Sequence, residues 1–287
     1  MHKLDRIKLV INELNLQDDE IVFLSAGLGN FDSLSEMNSA ENYFDQFTDL
    51  LLSKVPKGCI IVPTYSYSFS NILEESIFSV KNSESKLGMY SNWFLKNVAE
   101  YRTFDPMVSC ALSNDDYKFL GPTMNSSYGS GSLFENLLEI NCSVKILNFG
   151  LGVKWMPFIH YLDFICQTPY RYQKFFIGTI TEKNPNSNLC WEYHVPVKHP
   201  SCNGTGEANG NQALKNGLWT SWNVGRGRVH LTDYKKYFNF TLSETRKNPW
   251  NLAFGPPIDE NEISRLIQLD LDNEYFKRIG KSKPKTI

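Results

Sequence analysis

The sequence predicts an α/β fold with a largely parallel central sheet and flanking helices, plus a smaller antiparallel β-containing C-terminal portion. Three observations lead there. Short apolar runs of strand length, rich in β-branched residues, recur at 21–25, 59–64, 108–112 and 144–149. Helical patterns separate them. Beyond residue 169 the texture changes to two neighbouring strand-like runs joined by a turn-rich link.

Residues 21–25 open the sheet. Ala40, Tyr43, Phe44, Phe47, Leu50, Leu51 and Val55 then recur at helical spacing before the CIIVPT run at 59–64. A β-α-β unit with a parallel strand pair follows. Residues 89–98 and 132–140 predict two further helices beside the strands at 108–112 and 144–149. This alternation gives an α/β core over residues 1–170. Residues 173–180 and 188–197 predict an antiparallel hairpin across a turn at 181–187. The stretch 203–217, with Gly204, Gly206, Gly210 and Gly217 among Asn and Gln, reads as a long mobile loop. Apolar residues at 258, 263, 266, 267 and 271 predict a closing helix, and Lys277, Arg278, Lys281, Lys283 and Lys285 a solvated tail. Residues 171–287 are expected to form one compact unit with 1–170.

With 41% hydrophobic and 14% aromatic residues, the chain can bury a substantial core. No apolar run of about 18 residues exists, which excludes a membrane-spanning helix. Residues 1–14 lack an apolar segment followed by a small-residue cleavage site, so a cytoplasmic protein is expected. The six cysteines form no C-x-x-C pair and no metal spacing with histidine, and five sit in apolar stretches as expected buried free thiols. Neither metal, nor membrane, nor nucleic acid is expected as a partner. Charge is uneven: residues 1–150 hold 11 Lys and Arg against 19 Asp and Glu, and residues 151–250 hold 12 against 6. The basic excess lies where an anionic group could be accommodated.

Residues 157–166, PFIHYLDFIC, are the most informative for chemistry. On a helix, His160 and Asp163 share one face among apolar neighbours, and a carboxylate beside an imidazole raises its basicity and fixes its tautomer, as a general base requires. Spacing alone fits a half-buried structural histidine better. The KILNFGLG run at 145–152 places that helix at the carboxyl end of the sheet, where open α/β sheets bind ligands. YGSGS at 128–132 offers either backbone N–H groups to an anion or a plain helix cap at Ser132 or Ser130. Ser25 lies in FLSAG, not in a G-x-S-x-G elbow, so a hydrolase is not supported.

In order, VFLSAGLGNFDSL, IIVPTYSYSF, SKLGMYSNWFLKN, RTFDPMVSCAL, YGSGSLFENL, VKILNFGLG, FIHYLDF and TPYRYQK resemble the aminoglycoside 3-N-acetyltransferase family, over roughly the first 175 residues. The resemblance implies an acyl-CoA-dependent N-acyltransferase with His160 as catalytic base and Asp163 where the family usually has Glu. It implies that Ser25, Thr64, Tyr65, Ser85, Lys86, Gly88 and Ser109 line the pantetheine and acyl site, within an acyl-CoA-binding core spanning 1–170. Asp105 stands where family members carry a second histidine, at the acceptor side.

For the acceptor, the basic second half suits a nucleotide diphosphate sugar better than a polycationic aminoglycoside. The 151–250 segment is similar to sugar N-acyltransferases of surface-polysaccharide pathways, which implies a dTDP-linked 3-amino-3,6-dideoxyhexose acceptor, bound by the 171–287 portion, and an acetyl or 3-hydroxybutanoyl donor. Asp105, Trp155, Arg171, Lys174, Trp219, Trp222, Arg226 and Arg228 are its expected contacts. Aminoglycoside acetylation is the alternative, and a catalytically silent CoA- or sugar-binding protein a third.

Overall fold

The computed structural model describes residues 3–31, 40–70, 76–183, 185 and 187–278. Its helices are α1 (Lys3–Glu13), α2 (Ala40–Leu52), α3 (Met89–Asn97), α4 (Leu133–Glu139), α5 (Ile159–Ile165), α6 (Glu207–Lys215), α7 (Tyr234–Lys247) and α8 (Glu260–Arg278). The strands are β1 (Ile21–Ala26), β2 (Cys59–Pro63), β3 (Ile77–Phe78), β4 (Tyr101–Arg102), β5 (Cys110–Leu112), β6 (Val144–Phe149), β7 (Arg171–Ile180), β8 (Leu189–Pro196), β9 (Thr220–Val224) and β10 (Gly227–Asp233).

Seven strands form the main sheet in the order β4-β5-β2-β1-β6-β10-β9, and β3-β7-β8 form a second sheet. The α/β class holds. Parallel pairing in the main sheet is confined to the centre, where β1 lies between β2 and β6, while β5 and β10 flank this trio antiparallel. The apolar runs of β1 and β2 follow from burial on both faces. Ile21 and Phe23 join one core with α4, α5 and α7, while Val22 and Leu24 join another with α1, α2 and α3.

The C-terminal hairpin expected at 173–197 is present as β7 and β8, in register from Arg171 opposite Pro196 to Gly178 opposite Leu189. Part of its turn, and Lys281, Lys283 and Lys285 of the tail, lie outside the described residues. The loop expected at 203–217 is corrected: α6 occupies Glu207–Lys215, with Asn209, Gly210 and Ala213 buried. A Cβ on Gly210 would come within 2.6 Å of the Val153 carbonyl oxygen, so this glycine permits close packing of α6 on the segment before α5. Strands β9 and β10 return the chain to the main sheet.

All six cysteines are free; Cys59, Cys110 and Cys202 are buried, Cys142 and Cys166 half-buried, and Cys190 exposed. No helix among the described residues is long and apolar enough to cross a membrane.

Candidate active site

Strand β6 ends in a turn that only glycine can make. Gly150 has φ +77°, and a Cβ there would lie 2.4 Å from the Gly27 carbonyl oxygen. The buried Asn148 Nδ2 donates to the carbonyls of Gly152 at 3.1 Å and Trp155 at 2.8 Å, fixing the connection that leads into α5. That helix buries Tyr161, Leu162 and Asp163. His160 keeps 30% of its side chain exposed against 1% for Asp163.

His160 Nδ1 lies 3.2 Å from Asp163 Oδ2. With Nδ1 carrying the proton toward the carboxylate, Nε2 is the accepting nitrogen. The other oxygen, Oδ1, accepts from Tyr170 OH at 2.5 Å and Thr168 Oγ1 at 3.3 Å. Arg171 Nε stands 3.6 Å from Oδ2, and Arg171 Nη2 donates to the His194 carbonyl. Burial by itself would raise the Asp163 carboxyl, but the His160 hydrogen bond, the Arg171 charge and the Tyr170 hydroxyl outweigh it and hold it below the usual range. Burial, aided by Arg171 and opposed by Asp163, lowers His160 below its ordinary value, so the imidazole is neutral near pH 7. Burial and Arg171 together push His194 down to about 3.

The ring of Tyr128 meets His160 edge-on at 5.8 Å, and its hydroxyl donates to Tyr193 OH at 3.3 Å. Sequence reasoning missed Tyr128, Thr168, Tyr170, Tyr193 and His194 as members of this site. Two signals were available: Tyr128 opens YGSGS, and Thr168 and Tyr170 lie in TPYRYQK. Ser132 in YGSGS is a helix cap, accepting from Glu135 N.

The remaining expected residues divide. Thr64 and Ser109 are fully buried around Arg102. Its Nε donates to Ser109 Oγ at 3.1 Å, its Nη2 to the Thr64 carbonyl at 2.9 Å and its Nη1 to the carbonyls of Val80 and Ser83. Asp105 Oδ1 accepts from Met107 N, Val108 N and Ser127 Oγ, and burial pushes its carboxyl up to about 6 against those bonds. It anchors a turn.

Ser25 is buried at the end of β1 opposite Asn148. Nearby, Ala26, Gly27, Gly29, Leu87, Met89 and Tyr90 wall a cavity of about 280 Å³. It shares Gly29 with a cavity of about 650 Å³ lined by Lys154, Arg226 and Arg228. Tyr65 is half-buried, and its carbonyl accepts from the backbone N–H of the exposed Lys86. Ser85 Oγ accepts from Leu87 N, and Gly88, at φ +110°, precedes α3.

The expected acceptor set is not brought together. Lys174 is buried in ion pairs with Asp270 at 3.0 Å and Glu274 at 2.5 Å. Arg171 is held against Asp163. Trp219 packs in the core on Tyr237. Trp155 is exposed on the segment before α5, and Trp222 is half-buried on β9. Arg226 and Arg228 border the wider cavity instead.

Several solved acetyltransferases share this fold. Aminoglycoside acetyltransferase AAC(3)-IVa matches with a TM-score of 0.67 at 15% identity, over 92% of this chain and 96% of its own. AAC(3)-IIb matches at 0.69 and 14%, over 85% and 97%. AAC-IIIb, in a binary structure with CoASH, matches at 0.68 and 14%, over 90% and 99%. No curated protein sequence matches the chain. The α/β sheet of this chain thus has the fold of these acetyltransferases. The sequence model of the aminoglycoside 3-N-acetyltransferase family matches residues 32–244, and the chain belongs to that family.

Membership carries the acyl-CoA donor with it, and it overturns the nucleotide-linked amino sugar as acceptor. The error is physical. The basic excess of residues 151–250 is a count along the chain, and two of the side chains invoked, Arg171 and Lys174, spend their charge on buried carboxylates.

Proposed function

We propose that the chain transfers an acetyl group from acetyl-CoA to an amino group of an aminoglycoside, with His160 as general base. The observation that carries this is the His160–Asp163 pair: a neutral imidazole, open at one edge, oriented by a buried ionised carboxylate in a chain of this family. An aminoglycoside amine is mostly protonated near neutral pH and attacks a thioester only as the free base. In attack, the neutral amine nitrogen bonds the thioester carbon, His160 Nε2 takes the proton from the nitrogen of the tetrahedral intermediate, and the intermediate expels CoA thiolate. The thiolate takes that proton from the imidazolium, which returns His160 to its neutral form.

Structures of the same fold support the substrate pair: one holds CoASH, one holds sisomicin, and a histidine-to-alanine mutant of AAC(3)-IVa holds a gentamicin. For the donor, the smaller cavity lies along Ala26–Gly29, the segment that follows Ser25, and the larger one shares Gly29 with it. Lys154, Arg226 and Arg228 of the larger cavity suit the CoA phosphates. Ser85, Lys86 and Gly88 are close in sequence to Leu87 and Met89 of the smaller one.

The test is CoA-thiol release from acetyl-CoA with gentamicin, sisomicin and apramycin, with mass spectrometry for an amide product. Release that is independent of every amine acceptor would sink the proposal. Arg226→Ala with Arg228→Ala should raise KM for acetyl-CoA and leave acceptor KM unchanged.

A further inference from the structure

A histidine bonded to a carboxylate has an inherent difficulty as a base for an amine. The negative charge stabilises the imidazolium, so an isolated pair in a buried site tends to hold its proton rather than accept one. Here the carboxylate is shared. Asp163 Oδ2 faces both His160 Nδ1, at 3.2 Å, and Arg171 Nε, at 3.6 Å. That 3.6 Å separation is an ion-pair contact rather than a hydrogen bond, and the buried Nε has no hydrogen-bond partner among the described residues. The fork is anchored from behind by Nη2 on the His194 carbonyl, so the guanidinium is fixed by β8 and not by the carboxylate alone.

We propose that Arg171 is the positioning residue of the His160–Asp163 pair: by balancing the Asp163 charge beside the imidazole, it keeps His160 in its proton-accepting form. The charge count makes the case. With neutral His160, Asp163 and Arg171 cancel. Protonating His160 leaves one net positive charge in a site where Asp163 is 1% exposed and Arg171 3%. Without Arg171, the same protonation would complete an ion pair. The other groups facing His160 cannot replace this role: Tyr128 and His194 are uncharged near pH 7, since burial raises the tyrosine and lowers the histidine. Tyr170 and Thr168 act only on Oδ1. The elements of the arrangement lie close together in the chain, from the first turn of α5 to the first residue of β7, so one tight connection sets carboxylate, imidazole and guanidinium together.

This inference rests on reading His160 as the base, and the experiment separates the two. The His160 imidazole is titrated by NMR in the full chain with CoA bound, its signals assigned by their loss in His160→Asn, for wild type, Arg171→Gln and Arg171→Lys. Arg171→Gln should raise the His160 pKa by about one unit or more, so that kcat at pH 6 falls about twofold to eightfold further than at pH 8.5; Arg171→Lys, which keeps the charge, should restore the wild-type titration. A His160 titration that is unmoved or lowered in Arg171→Gln overturns the inference. Should Arg171→Gln fail to fold even with CoA, Arg171→Met, which fills a similar volume without the charge, takes its place in the same titration, and a wild-type His160 titrating at or above about 6.5 overturns the inference as well. If His160→Ala retains full turnover, the base assignment fails while the titration still reports on Arg171.

Discussion

Two buried arginine networks lie within the family-matched region, and they differ in one respect. Around Arg102, every group is closed: the guanidinium spans the carbonyls of Thr64, Val80 and Ser83 and the Ser109 hydroxyl, and it is 2% exposed. Around Arg171, the network ends in an imidazole with 30% of its side chain open. Both are high-stakes arrangements, since a buried polar group left unpaired costs about 1–3 kcal/mol. The Arg102 network joins β4, β5 and the end of β2 into one edge of the sheet. The Arg171 network surrounds the imidazole proposed as the base, and the exposed tip is what separates the two.

Removing the tip should separate the two networks most. His160→Ala should lower kcat by about 100-fold to 1000-fold, the scale of a lost general base, with a Tm close to wild type. Wild-type turnover by a folded His160→Ala protein would end the distinction. In wild type the acidic limb of the kcat profile should lie below about 6.5, because burial and Arg171 lower His160: activity appears as pH rises through that pKa. Arg102→Met should do the opposite of His160→Ala. It leaves the Val80 and Ser83 carbonyls short of donors, while Thr64 keeps the Ser109 hydroxyl, and should cost about 3 kcal/mol in urea unfolding, with kcat per folded molecule nearly unchanged.

The parallel centre of the sheet was legible because β1, β2 and β6 are covered on both faces and so are continuous apolar runs. The flanks were not. Strand β9 reads TSWNV with mostly exposed positions, and β10 alternates Gly227, Val229 and Leu231 with polar residues, so neither resembles a buried strand. Helix α6 was hidden by Gly210 and Asn209, which are there because α6 packs closely on Val153 and because Asn209 accepts from Thr241. At the site, spacing put His160 and Asp163 on one helix face, since three residues on a helix fix their proximity, and only the family resemblance pointed to a base. Arg171 was visible as a residue but not as a partner, because its contact with Asp163 depends on how the chain turns between α5 and β7. Net charge along a segment misled for the same reason: it records no pairing.

A smaller effect sharpens the contrast at Asp105, which belongs to neither arginine network. Its carboxyl is pushed up to about 6 by burial, against about 3.9 in an unfolded chain. The folded state therefore binds the proton more tightly, and stability falls as pH rises from about 4 to 6 and then stays at that lower level. Asparagine keeps an oxygen for Met107 N, Val108 N and Ser127 Oγ without the buried charge. Asp105→Asn should gain on the order of 1–2 kcal/mol at pH 8 and nothing at pH 4, measured by urea unfolding at both. Equal effects at both pH values would show that the side chain acts through shape alone.

The smallest expected effect tests how the open edge of His160 is held. Tyr128 touches the imidazole through its ring, edge-on at 5.8 Å, while its hydroxyl is turned to Tyr193 at 3.3 Å. Tyr128→Phe keeps the ring and deletes a long hydrogen bond between two buried hydroxyls. Each hydroxyl of that pair is the other's partner, so the loss should be about 1 kcal/mol of stability, and kcat should change by less than about threefold with the acidic limb in place. Tyr128→Ala, by contrast, removes the ring that packs on His160, admitting water beside it and relaxing the burial that lowers its pKa. The acidic limb should then move toward about 6.5 while the Asp163 contact persists. A large kcat loss in Tyr128→Phe would instead mean that the hydroxyl pair takes part in the reaction, and that the ordered part of the site extends from the imidazole to Tyr193.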